Sequence, residues 1–349
     1  MKSFFDKVWD YIIGLGQYCS TVYIVTDNYT DDHPLKYQTR SARGSGTNVD
    51  FRSTSPLPSN FSSDFLLSSD NKRAMYSLMT EYFTEKCSRP YYTATFVITE
   101  GRRTVKGNMP SSTHLEADYR IVGHILDAMK CGYKSTTIRA NDTDVLVILI
   151  AFMPSFLQKD PSFKLILKSG TDGKDIFNNI CIKIGEQRCR GLLFFHAFTG
   201  CDYISSFYGI GKTRWFDAFI DDNTVNETFK DLSNSPTELS ENQLQLIVSF
   251  VLKAYKSPQK KCLTTARLDS ITHNQSETFR VLPPSLGALR EHAKRAAFVA
   301  GYLWGRAHHI NPVLPEYSHW GWNYNSDGGL TPIWTAIVND TAYKALKNL

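Results

Sequence analysis

Residues 135–151 read STTIRANDTDVLVILIA, and this stretch decides the fold. A short β-branched segment, STTIR, is followed by two aspartates, Asp142 and Asp144, and then by the uninterrupted apolar segment VLVILIA. A segment that is apolar on every side is typical of an element buried inside a parallel sheet with helices on both faces. We therefore predict that residues 145–151 form a buried element of such a sheet and that the chain is α/β.

Strand and helix patterns alternate on either side of this stretch. Residues 21–26 (TVYIVT), 93–99 and 164–168 (KLILK) are predicted strands, because β-branched and aliphatic residues dominate them. Apolar residues recur at helical spacing around Trp9 and in residues 115–129. Strands that alternate with helices along a chain indicate an α/β architecture.

Composition divides the chain into a core, residues 1–220, and a helical C-terminal extension, residues 221–349, that ends in a Trp-rich tail. Within the core, residues 43–70 are rich in Ser, Gly, Thr, Pro and Asn and hold few aliphatic residues, so we predict a mobile loop there. The aromatic tail is predicted to pack back onto the core.

Length and composition exclude several classes of protein. The chain has 349 residues, of which 42% are hydrophobic and 21% charged, and this excludes disordered and low-complexity proteins. The longest apolar run, residues 145–153, is far shorter than the roughly 20 residues that span a bilayer, so we expect a soluble, intracellular protein without a membrane partner. The 7 cysteines include no CxxC pair, which argues against a disulfide framework and a zinc finger.

The charge is unevenly distributed. The net charge of +5 permits a polyanionic partner without requiring one. Residues 215–250 are acidic, whereas residues 253–306 carry ten Lys and Arg against three acids. Two interpretations of the basic stretch stay open, a solvated helix face and a surface that faces phosphates.

Acidic residues stand where an α/β sheet places a site. They are Asp27 at the end of TVYIVT, the pair Glu116 and Asp118, the pair Asp142 and Asp144, and Asp202 in GCDY. Ligands of open parallel sheets bind at the carboxyl ends of strands, and Asp142 and Asp144 point the same way on extended backbone. Oxygen ligands with no His or Cys among them favour Mg²⁺ or Mn²⁺ over zinc. The alternative for Asp118 and for Asp142 is a helix cap.

A second informative stretch is the glycine-rich segment Gly209-Ile210-Gly211-Lys212. Its backbone N–H groups can accept a phosphate where a helix begins, and Lys212 and Arg214 add positive charge. The alternative is a helix C-cap with a tight turn. Cys201 has no paired histidine in a recognisable motif, so we interpret it as a small buried residue rather than a nucleophile.

The order VYIVTD, LEAD, NDTDVLV and GCDYISSFYGIGKTRWFDAF resembles the flap endonuclease/XPG-like family of 5′ nucleases, whose core is a PIN-like α/β domain. The strongest match is GCDYISSFYGIGKTR, where that family has a metal-binding Asp and then a helix-hairpin-helix element with the same Gly-hydrophobic-Gly spacing. The chain is also similar to a group of metazoan, often cnidarian, proteins with the segment HA(F/L)TGCD and a Trp-rich tail, for which a mobile-element origin is one interpretation.

The resemblance implies a PIN-like parallel sheet flanked by helices and a metal-dependent, structure-selective nuclease that hydrolyses phosphodiester bonds with two Mg²⁺ or Mn²⁺ ions. The metal ligands that it implies are Asp27, Glu116, Asp118, Asp142, Asp144 and Asp202. The catalytic positions that it implies are Lys36, Arg40, Glu116 and Asp118, and the nucleic-acid contacts are Gly209, Ile210 and Gly211 with K⁺ at the hairpin, to which we add Lys212 and Arg214.

The chain departs from the family pattern at its start. The family begins with a strand that carries a further metal-binding Asp, and this chain begins at the following helix, so that strand and its acid are expected to be missing. Three hypotheses stay open. The first is an active nuclease in the nucleus that acts on DNA in preference to RNA. The second, which the missing acid motivates, is a catalytically inactive, nuclease-derived nucleic-acid-binding protein, and the third is a protein-interaction module that uses the aromatic tail.

Overall fold

The computed structural model describes residues 1–27, 35, 46–89, 92–114, 116–168, 179–273, 281–326 and 328–335. The chain folds into two compact units. Unit one comprises Met1–Thr136 together with Ala307–Pro312, and unit two comprises Thr137–Arg306 together with the described residues from Val313 onwards. These bounds differ from the predicted division at residue 220, because α-helices beyond that residue pack onto helices before it.

In its described residues, unit one holds a small sheet, three α-helices and a 3₁₀ helix, Phe65–Leu67. The α-helices are α1 (Lys2–Gly16), α2 (Ser69–Cys87) and α3 (Ala117–Lys130), and the strands are β1 (Thr21–Thr26), β2 (Thr95–Glu100) and β3 (Arg103–Lys106). The sheet order is β1-β2-β3, with β1 and β2 parallel and β2 and β3 antiparallel. The predicted strand and helix positions in this unit are confirmed to within a few residues.

The core of unit one is largely aromatic. Trp9, on the buried face of α1, packs against Phe83 and Phe96 with ring centroids 5.3 Å and 5.4 Å away. Residues 46–70, the described part of the predicted loop, pack onto this core through Phe61 and Phe65, whose rings stack at 5.4 Å. Aromatic side chains therefore supply contacts that the low number of aliphatic residues did not suggest.

Unit two is mainly helical. Strand β4 (Ser135–Arg139) begins at the boundary between the units, and it pairs with β5 in a two-stranded sheet. The helices and strands that follow β4 are α4 (Thr143–Lys159), β5 (Lys164–Lys168), α5 (Asn179–Ile184), α6 (Glu186–Thr199), α7 (Lys212–Ile220), α8 (Asn223–Leu232), α9 (Glu241–Ala254), α10 (Leu263–His273), α11 (Leu286–Phe298), a π-helix (Val299–Trp304), a 3₁₀ helix (Tyr317–Trp320), β6 (Trp322–Tyr324) and β7 (Leu330–Pro332). With small sheets among many helices, the predicted α/β class is confirmed.

The apolar segment VLVILIA is helical, which corrects the prediction that residues 145–151 form a buried element of a sheet. It lies inside α4, which continues to Lys159 and buries most of these side chains. Periodicity cannot distinguish a buried strand from a buried helix when every residue is apolar. The N-cap at Asp142 and the apolar residues up to Phe156 make a helix the better solution for this sequence.

Helix α6 is the centre of unit two. It packs closely on α4 and α8, and residues 191–199 are all buried. The aromatic tail packs in part. Trp320 and Trp322 are each 3% exposed, and the Trp322 ring lies 5.3 Å from that of Phe298 on α11, which belongs to the predicted extension rather than to the predicted core. Trp334 is 64% exposed. No helix among the described residues is long and apolar enough to cross a membrane.

Alanine in place of Gly301 is expected to destabilise unit two by about 1–3 kcal/mol, because the new Cβ overpacks a tight contact. It would lie 2.6 Å from Cδ of Pro236 and 3.0 Å from the carbonyl oxygen of Leu232. The control is Gly14→Ala on α1, where nothing lies within 4 Å of the added Cβ. That substitution is expected to stabilise its helix by about 0.5–1 kcal/mol. Urea unfolding measures both changes, and equal shifts would contradict this account.

A buried histidine makes the stability of unit two dependent on pH. His292 Nε2 donates a hydrogen bond to the carbonyl of Phe198 at 2.7 Å, and burial lowers the pKa of His292 from 6.5 to about 4. The unfolded chain therefore takes up the proton at a higher pH than the folded chain does. We expect the free energy of unfolding to fall as the pH falls from 6.5 to about 4. Urea unfolding at pH 7 and pH 5 measures this fall. If the free energy of unfolding of a His292→Gln variant falls just as much between these pH values, His292 is not its cause.

Candidate functional site

The acidic pair of the NDTD segment lies at the start of α4. Asp142 is the N-cap, and its Oδ1 accepts a hydrogen bond from the backbone N–H of Asp144 at 2.9 Å. Asp144 is therefore in the first helical turn rather than on extended backbone as predicted. The helix-cap alternative for Asp142 is confirmed, and it does not exclude a second role, because each carboxylate has two oxygens.

His196 connects Asp144 to Lys212. The distance from His196 Nε2 to Asp144 Oδ1 is 2.8 Å, and the distance from Lys212 Nζ to His196 Nδ1 is 2.7 Å. A lysine ammonium has no acceptor, so Nδ1 accepts and the ring proton is on Nε2, which donates to the carboxylate. The result is a hydrogen-bonded chain across three elements, from Lys212 on α7 through His196 on α6 to Asp144 on α4.

This chain of side chains is partly shielded from water. The His196 side chain is 6% exposed and that of Asp144 is 14% exposed. The ring of Trp304, the last residue of the π-helix, lies 5.7 Å from the ring of His196. Burial lowers the pKa of Lys212, while Asp144 acts in the opposite direction by favouring the ammonium. A partly shielded site strengthens the electrostatic interactions inside it.

Gly200 explains the tight turn that presents Asp202. Helix α6 ends at Thr199, and Gly200 has φ +115° with Ser206 so close that a Cβ would lie 2.7 Å from the Cβ of that residue. The chain then turns back through two backbone hydrogen bonds between Cys201 and Ile204, of 3.0 and 3.2 Å, and Asp202 is exposed in the turn. Burial raises the pKa of the Cys201 thiol to about 12, which agrees with a structural role for it.

The glycine segment forms a turn in front of α7. The N–H of Ile210 donates to the carbonyl of Phe207 at 3.3 Å, and Gly211 is the N-cap of α7 without any side-chain cap. Gly211 and the first two residues of α7 are exposed. The Lys212 ammonium, which was predicted to add positive charge at this turn, is directed at His196. Burial raises the pKa of the nearby Tyr255, and the positive charge of Arg214 acts in the opposite direction.

Unit one contains the other three predicted acids of the described chain. Asp27 Oδ1 accepts a hydrogen bond from the backbone N–H of Ala117 at 2.7 Å, so Asp27 caps α3 from the end of β1. Glu116 is at the N-cap position and is 6% exposed, and Asp118 is the second residue of α3. Asp118 and Asp144 thus occupy equivalent positions in the first turns of their helices. Lys36 and Arg40 lie outside the described residues.

The chemistry of the NDTD pair fits a hard divalent cation. Two hard oxygen donors are enough for Mg²⁺, which usually keeps several waters and binds one or two carboxylates. The hydrogen bond from His196 uses Oδ1 of Asp144, and a carboxylate has a second oxygen. Groups of three or more His, Cys, Asp or Glu side chains that could hold a metal ion are absent from the part of the chain that the structure describes. Any ion here would therefore be bound by few protein groups and by water.

Most of the basic stretch, residues 253–306, has partners within the protein. Lys260 pairs with Asp269 at 2.9 Å, and Lys294 pairs with Glu291 at 2.9 Å. Further ion pairs join Lys253 to Asp222 and Arg290 to Glu241, while Arg295 and Arg306 donate to backbone carbonyls. These contacts favour the first interpretation of the stretch, a solvated face stabilised by local ion pairs.

Sequence reasoning missed His196. A single histidine in the apolar helix LLFFHAF has no metal-ligand or triad spacing, so the ordinary interpretation is a core histidine with a hydrogen-bond partner. Its contacts come from residues 52 positions before it and 16 positions after it. The local signals are its place at the start of the segment HAFTGCD and its distance of four residues from the Gly200 turn.

Comparison with models of protein families, with curated proteins and with solved structures found no match to this chain.

Proposed function

We propose that the protein is a metal-dependent nuclease that hydrolyses phosphodiester bonds, with DNA favoured over RNA. The observation that carries the proposal is the hydrogen-bonded chain from Asp144 through His196 to Lys212. These hydrogen bonds connect two features of unit two. One is an acidic pair suited to a divalent cation, and the other is a glycine turn suited to a phosphate. A nuclease needs these two features next to each other.

Each part has a definite task under this proposal. Asp142 and Asp144 would hold Mg²⁺ or Mn²⁺, which when bound supplies a water of lowered pKa and neutralises charge on the phosphate. The exposed amides of Gly211 and of the first turn of α7 would donate to phosphate oxygens. Arg214 adds a cation on the same helix. A PIN-like fold, a second ion at Asp202, metal ligation by Asp27, Glu116 and Asp118, and K⁺ at the hairpin stay predictions.

A nucleic-acid-binding protein without cleavage is the second candidate. The observation that favours it is that one oxygen of each NDTD carboxylate already has a partner inside the protein, the Asp144 N–H for Asp142 and His196 for Asp144. Such a protein would keep the glycine turn and bind nucleic acid in a salt-dependent way. It would show no difference between Mg²⁺ and EDTA in any cleavage assay.

The test incubates the purified full chain with branched, duplex and single-stranded DNA and RNA in Mg²⁺, in Mn²⁺ and in EDTA. The control is the double variant Asp142→Ala/Asp144→Ala. We expect products with 5′-phosphate ends from the wild type only, and only with metal. Undiminished cleavage by the double variant, or no cleavage by the wild type, would contradict the nuclease proposal. Salt-dependent binding of nucleic acid without cleavage would support the second candidate.

A further inference from the structure

We propose that Lys212 couples phosphate binding to metal binding. While its ammonium is bound to His196, it weakens the binding of a divalent cation at Asp144, and a phosphate group at residues 209–211 removes this effect by drawing the ammonium outward. The inference rests on the proposed function, because it takes Asp144 as a metal ligand and the glycine turn as a phosphate site.

The first step is the position of the ammonium. Lys212 Nζ lies 2.7 Å from His196 Nδ1 and 3.4 Å from the carbonyl oxygen of His196. Both of these acceptors are uncharged, so the ammonium is held inward by neutral partners. Asp144 is one imidazole ring away and is the carboxylate that interacts with this positive charge.

The second step is the effect of that charge on a metal ion. A divalent cation at Asp144 would be repelled by an ammonium held on the other side of the His196 ring. The side chains between them are mostly buried, so water screens this repulsion only in part. The metal affinity of the protein without nucleic acid is therefore lower than the acidic pair alone would give.

The third step is the exchange of partners. Lys212 is an exposed residue at the start of α7, and it follows Gly211, where an added Cβ would meet nothing within 4 Å. A phosphate in this open space offers the ammonium an anionic oxygen, whereas its present acceptors on His196 are uncharged. The attraction between opposite charges therefore favours the phosphate. The ammonium would leave His196 for the phosphate, and its charge would be balanced there.

Coupling of this kind is reciprocal. If phosphate binding at the turn raises the affinity for the metal, then the metal must raise the affinity for the phosphodiester by the same factor. Nucleic acid and metal would thus be bound together rather than independently. The protein would hold little metal until nucleic acid is in place.

The main test measures Mn²⁺ binding to the full chain by calorimetry at constant ionic strength, with metal alone and no nucleic acid. Lys212→Met removes the charge and keeps the length of the side chain, so we expect Mn²⁺ to bind roughly 5- to 20-fold more tightly than to the wild type. Lys212→Arg keeps the charge and is expected to stay close to the wild type. The matched control is Lys261→Met, which removes the same charge from an exposed position in the loop after α9.

The outcomes separate the coupling from the proposed function. If Lys212→Met binds Mn²⁺ no more tightly than the wild type does, while Asp142→Asn weakens the binding, the coupling is overturned and the metal site stands. If the wild type binds no Mn²⁺, both are overturned. If Lys261→Met gains as much as Lys212→Met, net charge explains the gain and the coupling is again overturned.

A second measurement reads the reciprocal effect. The anisotropy of a labelled DNA duplex, in Ca²⁺ or in EDTA at equal ionic strength, gives the affinity for the phosphodiester backbone. We expect Ca²⁺ to strengthen binding of the duplex by the wild type several-fold and to leave Lys212→Met unchanged. An equal response of the two proteins would overturn the coupling.

Discussion

Asparagine in place of Asp142 is expected to abolish the metal-dependent cleavage that we propose and to leave the protein as stable as before. Asparagine keeps the side-chain oxygen that accepts the N–H of Asp144 and is as good an N-cap as aspartate, so the free energy of unfolding should change by less than about 0.5 kcal/mol. The negative charge that would attract the proposed metal ion is lost. We expect the cleavage rate in Mg²⁺ to fall by about 100-fold or more.

Asp142→Ala is the matched comparison, because it removes the cap as well as the charge. It should lose cleavage to the same extent and also lose about 1 kcal/mol of stability. Cleavage is measured with a labelled branched DNA and stability by urea unfolding. If Asp142→Asn cleaves like the wild type and only Asp142→Ala is affected, Asp142 is a helix cap and nothing more.

This pair of variants addresses a choice that the sequence left open. The segment NDTDVL fits both a metal site and a helix start, because aspartate is a common ligand of hard cations and also a preferred N-cap. The structure shows the cap, and a capping carboxylate retains a second oxygen. A substitution that keeps the shape of the Asp142 side chain and removes its charge is therefore needed to decide its role.

Local sequence patterns predicted the helices and strands in which apolar residues contrast with polar ones, either across two faces or at the ends. Helix α1 buries Phe5 and Trp9 and exposes its other face, and the strand TVYIVT is bounded by polar residues, so periodicity and turn residues located both. The segment VLVILIA has no such contrast. Its helical state depends on the cap at Asp142 and on burial against α6, and the second of these is a tertiary contact.

The candidate site was predictable in its acids and not in its contacts. Asp142 and Asp144 were found because neighbouring carboxylates form a local pattern. Asp27 was found as an acid at the end of a strand, but its hydrogen bond to Ala117, 90 residues away, could not be predicted. The same holds for His196, whose role depends on two partners that are distant in sequence.

Truncation of Phe198 to alanine is expected to cause the largest loss of stability of any single substitution considered, about 3–5 kcal/mol. Phe198 is fully buried near the end of α6. Its ring lies between 5.1 and 6.5 Å from six other rings, those of Phe194, Phe207, Trp215, Phe229, Phe250 and His292. Domains are stable by only about 5–15 kcal/mol, so this one change removes a large share of the stability of unit two.

Phe216→Ala provides the control, because it deletes the same atoms from α7 in the same unit. The Phe216 side chain is 37% exposed, and among the described rings it lies near those of Phe195 and Phe219, so we expect a loss below about 1.5 kcal/mol. Five of the six tryptophans lie in unit two, so tryptophan fluorescence in urea reports mainly on its unfolding. Equal losses for the two variants would contradict the central place of Phe198.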